Sequence, residues 1–595
     1  MDGNEPQGRS SLSTIMLAAT AFILVYYGAQ YFFGGETPEA GDTTAETTEE
    51  LSPEEQARAA EAAAERARLR EERRATGTIT TDEFVATIDN LAGGVSSFVL
   101  RGDRFHDAEG HPQDLVTTTR DEYRPLRIAL PGAPIPDDAV WDLRQVSERE
   151  VELRWRGQGL EVVRSISAGT GPYQLWQTVV VRNVGSEPRR TPLSLSVYHY
   201  IQVANEGGGM FGGRSPNISQ GICSTDGSVV RKDHEALQNP HGYGETVEFA
   251  GVENVYFVQA LAPSNGEPAA RCALSAAHFY AEGSSDVDGN LFTSTLRYAT
   301  VDLPVGGEHS WTTLAYMGPK DWHALERAGH HLPDVVNLGT FAVIARGFAT
   351  ALGWIYGRVG NWGIAIIILT MIVKILLFPV VNRQFRAMAP MRKLKPEMDR
   401  INEELKDDME ARQRAILALY QKHGVNPAAQ MLGCLPVFLQ MPVFFALYTS
   451  LSTNIELYHQ PFVFFWTDLS ARDPYFVLPV MLSGLMFVQQ KLMPNTGMDP
   501  NQARIMLYMM PIMMGAFMLF LPSGLCLYML TNSGLSIAQQ QFNFWRVSQE
   551  EAAREAANKA SSPETENTAT GTVEKNDGKS SARTSPKGSG RSRLG

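Results

Sequence analysis

Lys374 sets a positive charge inside the apolar run "IIILTMIVKILLFPV" of a 595-residue chain. At hydrocarbon depth such a charge costs roughly 2.5–3.5 kcal/mol on insertion scales, so it demands an explanation. Thr370 lies four residues earlier, which on a helix places both side chains on one face. The other polar side chains within apolar runs of the last third are Gln440, Gln489, Gln490, Thr531, Asn532 and Ser533. No Asp or Glu accompanies them, which argues against a buried ion pair and against a carboxylate proton relay. Two readings of Lys374 remain: solvation in a water-filled cavity between helices, or snorkelling of its long stem to the headgroups. The cavity is favoured, because the roughly 10 Å of helix out to Val381, at 1.5 Å per residue, is a long reach for one side chain. The chemistry on offer is solvation of polar groups inside a membrane rather than bond making.

Elsewhere the chemistry-bearing residues do not converge. His106, His111, His199, His234, His241, His278 and His309 are scattered, without a second ligand at metal spacing. "GGGMFGGRS", Gly207 to Ser215, lacks the Lys-Ser/Thr and the βαβ context of a phosphate cradle and reads as a mobile loop. Of four cysteines, Cys434 and Cys526 sit in apolar runs; Cys223 and Cys272, in the region between, read as two lone thiols or, alternatively, as a disulfide. No catalytic residue, metal site or cofactor is expected, and no ATP-binding motif is present.

The elements that would position the polar residues follow from composition. The net charge of −13 arises between the apolar regions and in acidic linkers, which does not indicate a nucleic-acid binder. Residues 1–35 contain an apolar run of transmembrane length ending in aromatics, read as an uncleaved signal anchor over a cleavable signal peptide. An Ala/Glu-rich linker follows over 36–77. Residues 78–325 show short β-branched and aromatic runs punctuated by Gly and Pro, predicting a large antiparallel β-sandwich. A stripe of Phe341, Ile344, Phe348, Leu352 and Ile355 predicts an amphipathic helix over 335–358, lying in the membrane interface or packed on the β domain. Five apolar segments then predict membrane helices at 361–382, 430–452, 475–491, 504–521 and 523–542, several of them short. Between the first two, residues 383–426 carry ten Lys and Arg from Arg383 to Lys422 and predict a cytoplasmic helical hairpin broken near Lys406 to Asp408. One arm is expected to bury Met391, Leu394, Met398, Ile401 and Leu405, the other Ile416, Leu417 and Tyr420. The loop 453–474 belongs outside. Six crossings then put both termini in the cytoplasm and the β domain outside. Residues 546–595 read as a disordered cytoplasmic tail, basic at its end, suited either to an anionic partner or simply to solubility.

"GNWGIAIIILTMIVKILLFPV", "CLPVFLQMPVFFALY", "DLSARDPYFVLPVMLSGLMFVQQKLMP" and "FLPSGLCLYMLTNSGLSIAQQQ" together resemble the YidC/Oxa1/Alb3 membrane protein insertases, in the Gram-negative form with a large periplasmic domain. The resemblance implies an inner-membrane bundle of six transmembrane helices, an insertase core of five plus the anchor, with a periplasmic supersandwich. It further implies an energy-independent insertase and chaperone with a hydrophilic groove open to cytoplasm and lipid. Lys374 occupies the family's basic groove position, where many members carry Arg; losing the planar fork removes bidentate recognition of carboxylates. Thr370, Gln440, Tyr528 and Asn532 match other groove positions, and Leu435, Pro436 and Met441 match substrate-contacting positions. Met529 replaces a frequent second Tyr. Implied partners are nascent membrane proteins, the ribosome (through the basic tail and cytoplasmic loops), Sec translocon subunits and membrane lipids. A channel or secondary transporter is the rival class, but it predicts acidic pairs or inverted repeats, and neither is present. A membrane-anchored periplasmic enzyme would need a convergent site that the β region lacks.

Overall fold

The computed structural model describes residues 65, 68–91, 93–107, 110–137, 139–202, 219–244, 246–264, 269–280, 288–406, 408–424, 435–492 and 500–561. The expected N-terminal anchor, most of the linker, the Gly207–Ser215 loop and the basic end of the tail lie outside them. The chain divides into two compact units between Glu71 and Glu72, and everything below lies in the second.

Its first half is all β. Fourteen strands form one antiparallel sheet, whose central order runs Gln174–Asn183, Glu308–Pro319, Phe257–Pro263, Val247–Glu253, Ala269–Tyr280, Asp288–Tyr298 and Ser194–Gln202. The sheet curls so that Val247–Glu253 packs on Asp288–Tyr298 and Ser194–Gln202, and a three-stranded sheet, Thr76–Thr80, Phe84–Asp89 and Val95–Leu100, adds to the same core. Alternation drives this packing: in Leu160–Ala168 the residues Leu160, Val162, Arg164 and Ile166 all point inward.

That inward row contains an arginine. Arg164 is fully buried, donates to the carbonyls of Gly93 and Leu126, and stacks its guanidinium 5.2 Å from the centroid of Trp141. No carboxylate pairs with it among the described residues, and desolvation pushes its pKa down to about 9.

His199, on Ser194–Gln202, is also desolvated, which pushes its pKa down to about 4. The unfolded chain binds this proton below its ordinary pKa of 6.5, whereas the folded chain refuses it until about pH 4. The β region should therefore lose stability on acidification between these values, by about 3 kcal/mol at most. Thermal unfolding followed by near-UV circular dichroism should show a flatter dependence on pH across this window in His199→Gln than in the wild type.

The second half is helical: α1 Trp322–Ala328, α2 Ala342–Val359, α3 Trp362–Lys393, α4 Lys395–Glu404, α5 Met409–Lys422, α6 Leu435–Ser452, α7 Val477–Leu492, α8 Pro500–Met518 and α9 Ser523–Ser561. Several expectations need correction. The amphipathic helix starts at Ala342 rather than 335, because Leu332–Val335 forms a 3-10 turn and Gly339 adopts φ 66°. Its buried stripe runs through Ala345, Leu352 and Ile355, while Ile344 is exposed. Helix α3 continues to Lys393, through the start of the region assigned to the hairpin. Helix α9 spans 39 residues, so 546–561, expected to be disordered, are helical. In the hairpin the buried residues are Leu394, Met398, Leu419 and Tyr420, with Ile401 and Ile416 against them. Leu417 faces solvent instead, because Leu419 and Tyr420 set the inward face of α5; the side chain of Met391 lies outside the described residues.

Among the described residues one helix, Trp362–Arg383, is long and apolar enough to cross a membrane, and Val477–Leu492 and Arg504–Met518 are shorter apolar helices. Their outer surface is apolar: Ile375, Leu376, Val480, Ile512 and Met513 are 60–71 % exposed. Buried among the helices are Thr370, Ser533 and Tyr528. A bundle that is apolar outside and partly polar inside is stable only where its surroundings are apolar too.

Candidate functional site

Helices α3, α6 and α9 bring the sequence-singled residues together. Gly360, in the left-handed region at φ 64°, ends α2, and the Asn361 side chain accepts from the Ile364 amide, so the chain turns sharply into α3. Twelve residues past its first residue, Trp362, α3 carries Lys374 on the side that packs against α9. Lys374 Nζ donates to Ser536 Oγ at 2.8 Å, and Ser536 Oγ in turn donates to the Asn532 carbonyl at 2.7 Å. From α6, Gln440 Nε2 donates to the Tyr528 hydroxyl at 3.1 Å and reaches Asn532 Oδ1 at 3.5 Å. Tyr528, Asn532 and Ser536 follow one another at four-residue spacing on α9, one turn apart, and so form a single polar stripe.

Not every expected residue joins. Thr370 is buried, but its hydroxyl donates to the Ile366 carbonyl of its own helix. Met441 is exposed by 38 %. Leu435 and Pro436 open α6, and their side chains lie outside the described residues. Ser536 was missed by sequence reasoning, although its place four residues after Asn532 was a usable signal. Among the described residues Lys374 has no ion pair, so its ammonium is matched by a hydroxyl alone. No group of three or more His, Cys, Asp or Glu suited to a metal occurs among the described residues.

The connection from α6 to α7 packs against the starts of α3, α7 and α9. Phe462 lies so near Gly363 that a Cβ there would sit 2.0 Å from its ring, and Asn361 Nδ2 donates to the Phe462 carbonyl at 2.8 Å. The Ser523 hydroxyl donates to the Asp468 carbonyl, and the Asp473 carboxylate accepts from the Leu478 amide at 2.7 Å. The same connection enters the β region: Ile455 is buried in its core, Tyr458 sits 4.9 Å from Tyr256 and 5.5 Å from Phe257, and His459 stacks on His106 at 4.1 Å. Burial pushes the Tyr458 hydroxyl up to about 12. One loop thus ties the starts of α3, α7 and α9 to the sheet.

Two family models match, one described as 60Kd inner membrane protein over residues 354–550, the other as YidC periplasmic domain over residues 76–351. A membrane protein insertase YidC of Anaeromyxobacter dehalogenans (strain 2CP-C) is 34% identical over 481 residues, covering 77% of this chain and 83% of that protein. One of Citrifermentans bemidjiense is 33% identical over 482 residues, covering 78% and 84%. A crystal structure of an active YidC insertase with its first transmembrane domain resolved aligns over 78% of this chain and 91% of that one, at 19% identity and a TM-score of 0.34. The polar group held between α3, α6 and α9, beside a β region that matches a periplasmic domain, thus lies in a chain that belongs to the YidC family of membrane protein insertases.

Proposed function

We propose that this chain moves nascent transmembrane segments into the inner membrane through a hydrophilic groove built from Lys374, Gln440, Tyr528, Asn532 and Ser536, with Thr370 in its wall. One observation carries the reading: a lysine without a carboxylate partner among the described residues donates to a hydroxyl between helices whose outer faces are apolar. Such a group hydrates the polar flank of an incoming helix part-way, lowering the cost of its transfer, and burial of the apolar segment in lipid drives the rest. No bond is made or broken in this process, and no catalytic residue, cofactor or nucleotide is required.

In this reading α3, α6, α7, α8 and α9 are the five core spans and residues 1–35 the sixth. The basic residues between Arg383 and Lys422 face the cytoplasm together with both termini, and the β region faces outward. Leu435, Pro436 and Met441 line the path of the substrate helix. The ribosome meets the basic tail and the α4–α5 hairpin, lipids flank the groove, and a Sec translocon shares part of the traffic.

Photocrosslinking tests the groove. A photoreactive residue at position 440 or 435 should capture ribosome-bound nascent chains as their first apolar segment emerges. If neither position yields an adduct with any membrane-protein nascent chain, the groove reading fails and a transporter becomes the better account.

A further inference from the structure

Cys223, on the strand Gln220–Thr225, and Cys272, on Ala269–Tyr280, are fully buried, and no bond joins them in this structure. Their strands are not ladder partners: Cys223 stands opposite Ala250, and Cys272 opposite Tyr243. Gly244, at φ 67°, turns the chain between those two partners, and Gln220–Thr225 packs against Ala269–Tyr280. A Cβ on Gly221, two residues before Cys223, would lie 3.5 Å from the side chain of Leu274, two residues after Cys272, so with alternating side chains the two cysteines face one another across the same packing. The region holding both matches the family model described as a periplasmic domain, and exported domains fold where disulfides form and persist. Neither thiol belongs to a metal-binding group among the described residues.

We propose that Cys223 and Cys272 are joined by an intramolecular disulfide that forms while the β region folds outside the cytoplasm, with a protein or low-molecular-weight disulfide as oxidant. One cysteine thiolate attacks the oxidant R–S–S–R and expels one thiolate, giving a mixed disulfide. The second cysteine attacks the bound sulfur, closes the Cys223–Cys272 bond and expels the other. Two cysteines are oxidised, one external disulfide is reduced, and the two protons leave on the two RSH products. The order of events follows from burial: both cysteines are fully buried in the folded domain, so an external disulfide cannot reach either sulfur there. The bond therefore forms before the strands close and is afterwards shielded from reductants. It cross-links a stretch of about 50 residues, long enough for the constraint on the unfolded chain to be substantial.

The full-length chain, acid-trapped in its membranes and denatured without reductant, is treated with a maleimide of added mass. Two additions are expected, at Cys434 and Cys526, rising to four after reduction, with a Cys223–Cys272 cross-linked peptide in the unreduced digest. Four additions without reduction overturn the proposal. Thermal unfolding of the β region supplies a second measurement, in which Cys223→Ala, Cys272→Ala and the double variant should lower the midpoint by the same several degrees. Single effects that add in the double variant would mark two independent packing defects and overturn it as well.

Discussion

Lys374→Ala is expected to lower insertion of clients with acidic flanks by about 30-fold, while Lys374→Arg stays within about threefold of the wild type. The magnitude follows from the charge: at an effective dielectric of about 20 and a separation of about 8 Å, losing one attraction is worth about 2 kcal/mol. Lys374 is well placed to exert it, because its only described partner is the Ser536 hydroxyl, and a neutral donor-acceptor cancels none of its charge. Clients whose flanks are polar but uncharged should be slowed far less, because Gln440, Tyr528 and Asn532 remain to hydrate them. Reconstituted insertion, scored by protease protection for a client series that differs only in flank charge, separates the two contributions. Equal insertion of every client by Lys374→Ala would remove the charge from the mechanism and leave hydration alone.

Arg164→Met is expected to destabilise the β region by about 2–5 kcal/mol, with a fall of roughly 10 °C in its unfolding midpoint. The replacement fills much of the volume but leaves the Gly93 and Leu126 carbonyls without their donor and the Trp141 ring without its cation. Arg164→Lys should recover little, because one ammonium on a flexible stem cannot span two carbonyls as a planar fork does. Thermal unfolding of the purified variants measures both. A midpoint within about 2 °C of the wild type for Arg164→Met would show that the carbonyls find other donors. Gly93 is tied to the same contact: at φ 64°, an added Cβ would lie 2.6 Å from Arg164 Nη1.

Much of this was legible in the sequence. Period-two runs between Gly and Pro marked the sheet, and the apolar runs marked α3, α6, α7, α8 and α9, because both signals are local. Lys374 stood out for a local reason too, as one charge in a run of Ile, Leu and Val. What escaped were features fixed by partners distant in sequence. Arg164 reads as a surface position on a strand until Gly93 and Leu126, 71 and 38 residues away, supply the carbonyls. Ser536 reads as an ordinary small residue on an apolar helix until Lys374, 162 residues earlier, donates to it. The ends of helices were the other weak point. Charged residues after an apolar run signal the membrane boundary, but α3 and α9 cross that signal without breaking, since helix geometry does not require an apolar environment.

The loop carrying Phe462 has a mechanical consequence. The ring of Phe462 rests against Gly363 with no room for even a methyl group between them, and Ser523 and Asp473 fasten the same loop over the starts of α9 and α7. Seated in the sheet through Ile455 and Tyr458 and fastened at three helix starts, the loop acts as a splint: bending between the β region and the helices at this point would have to break contacts on both sides of it at once.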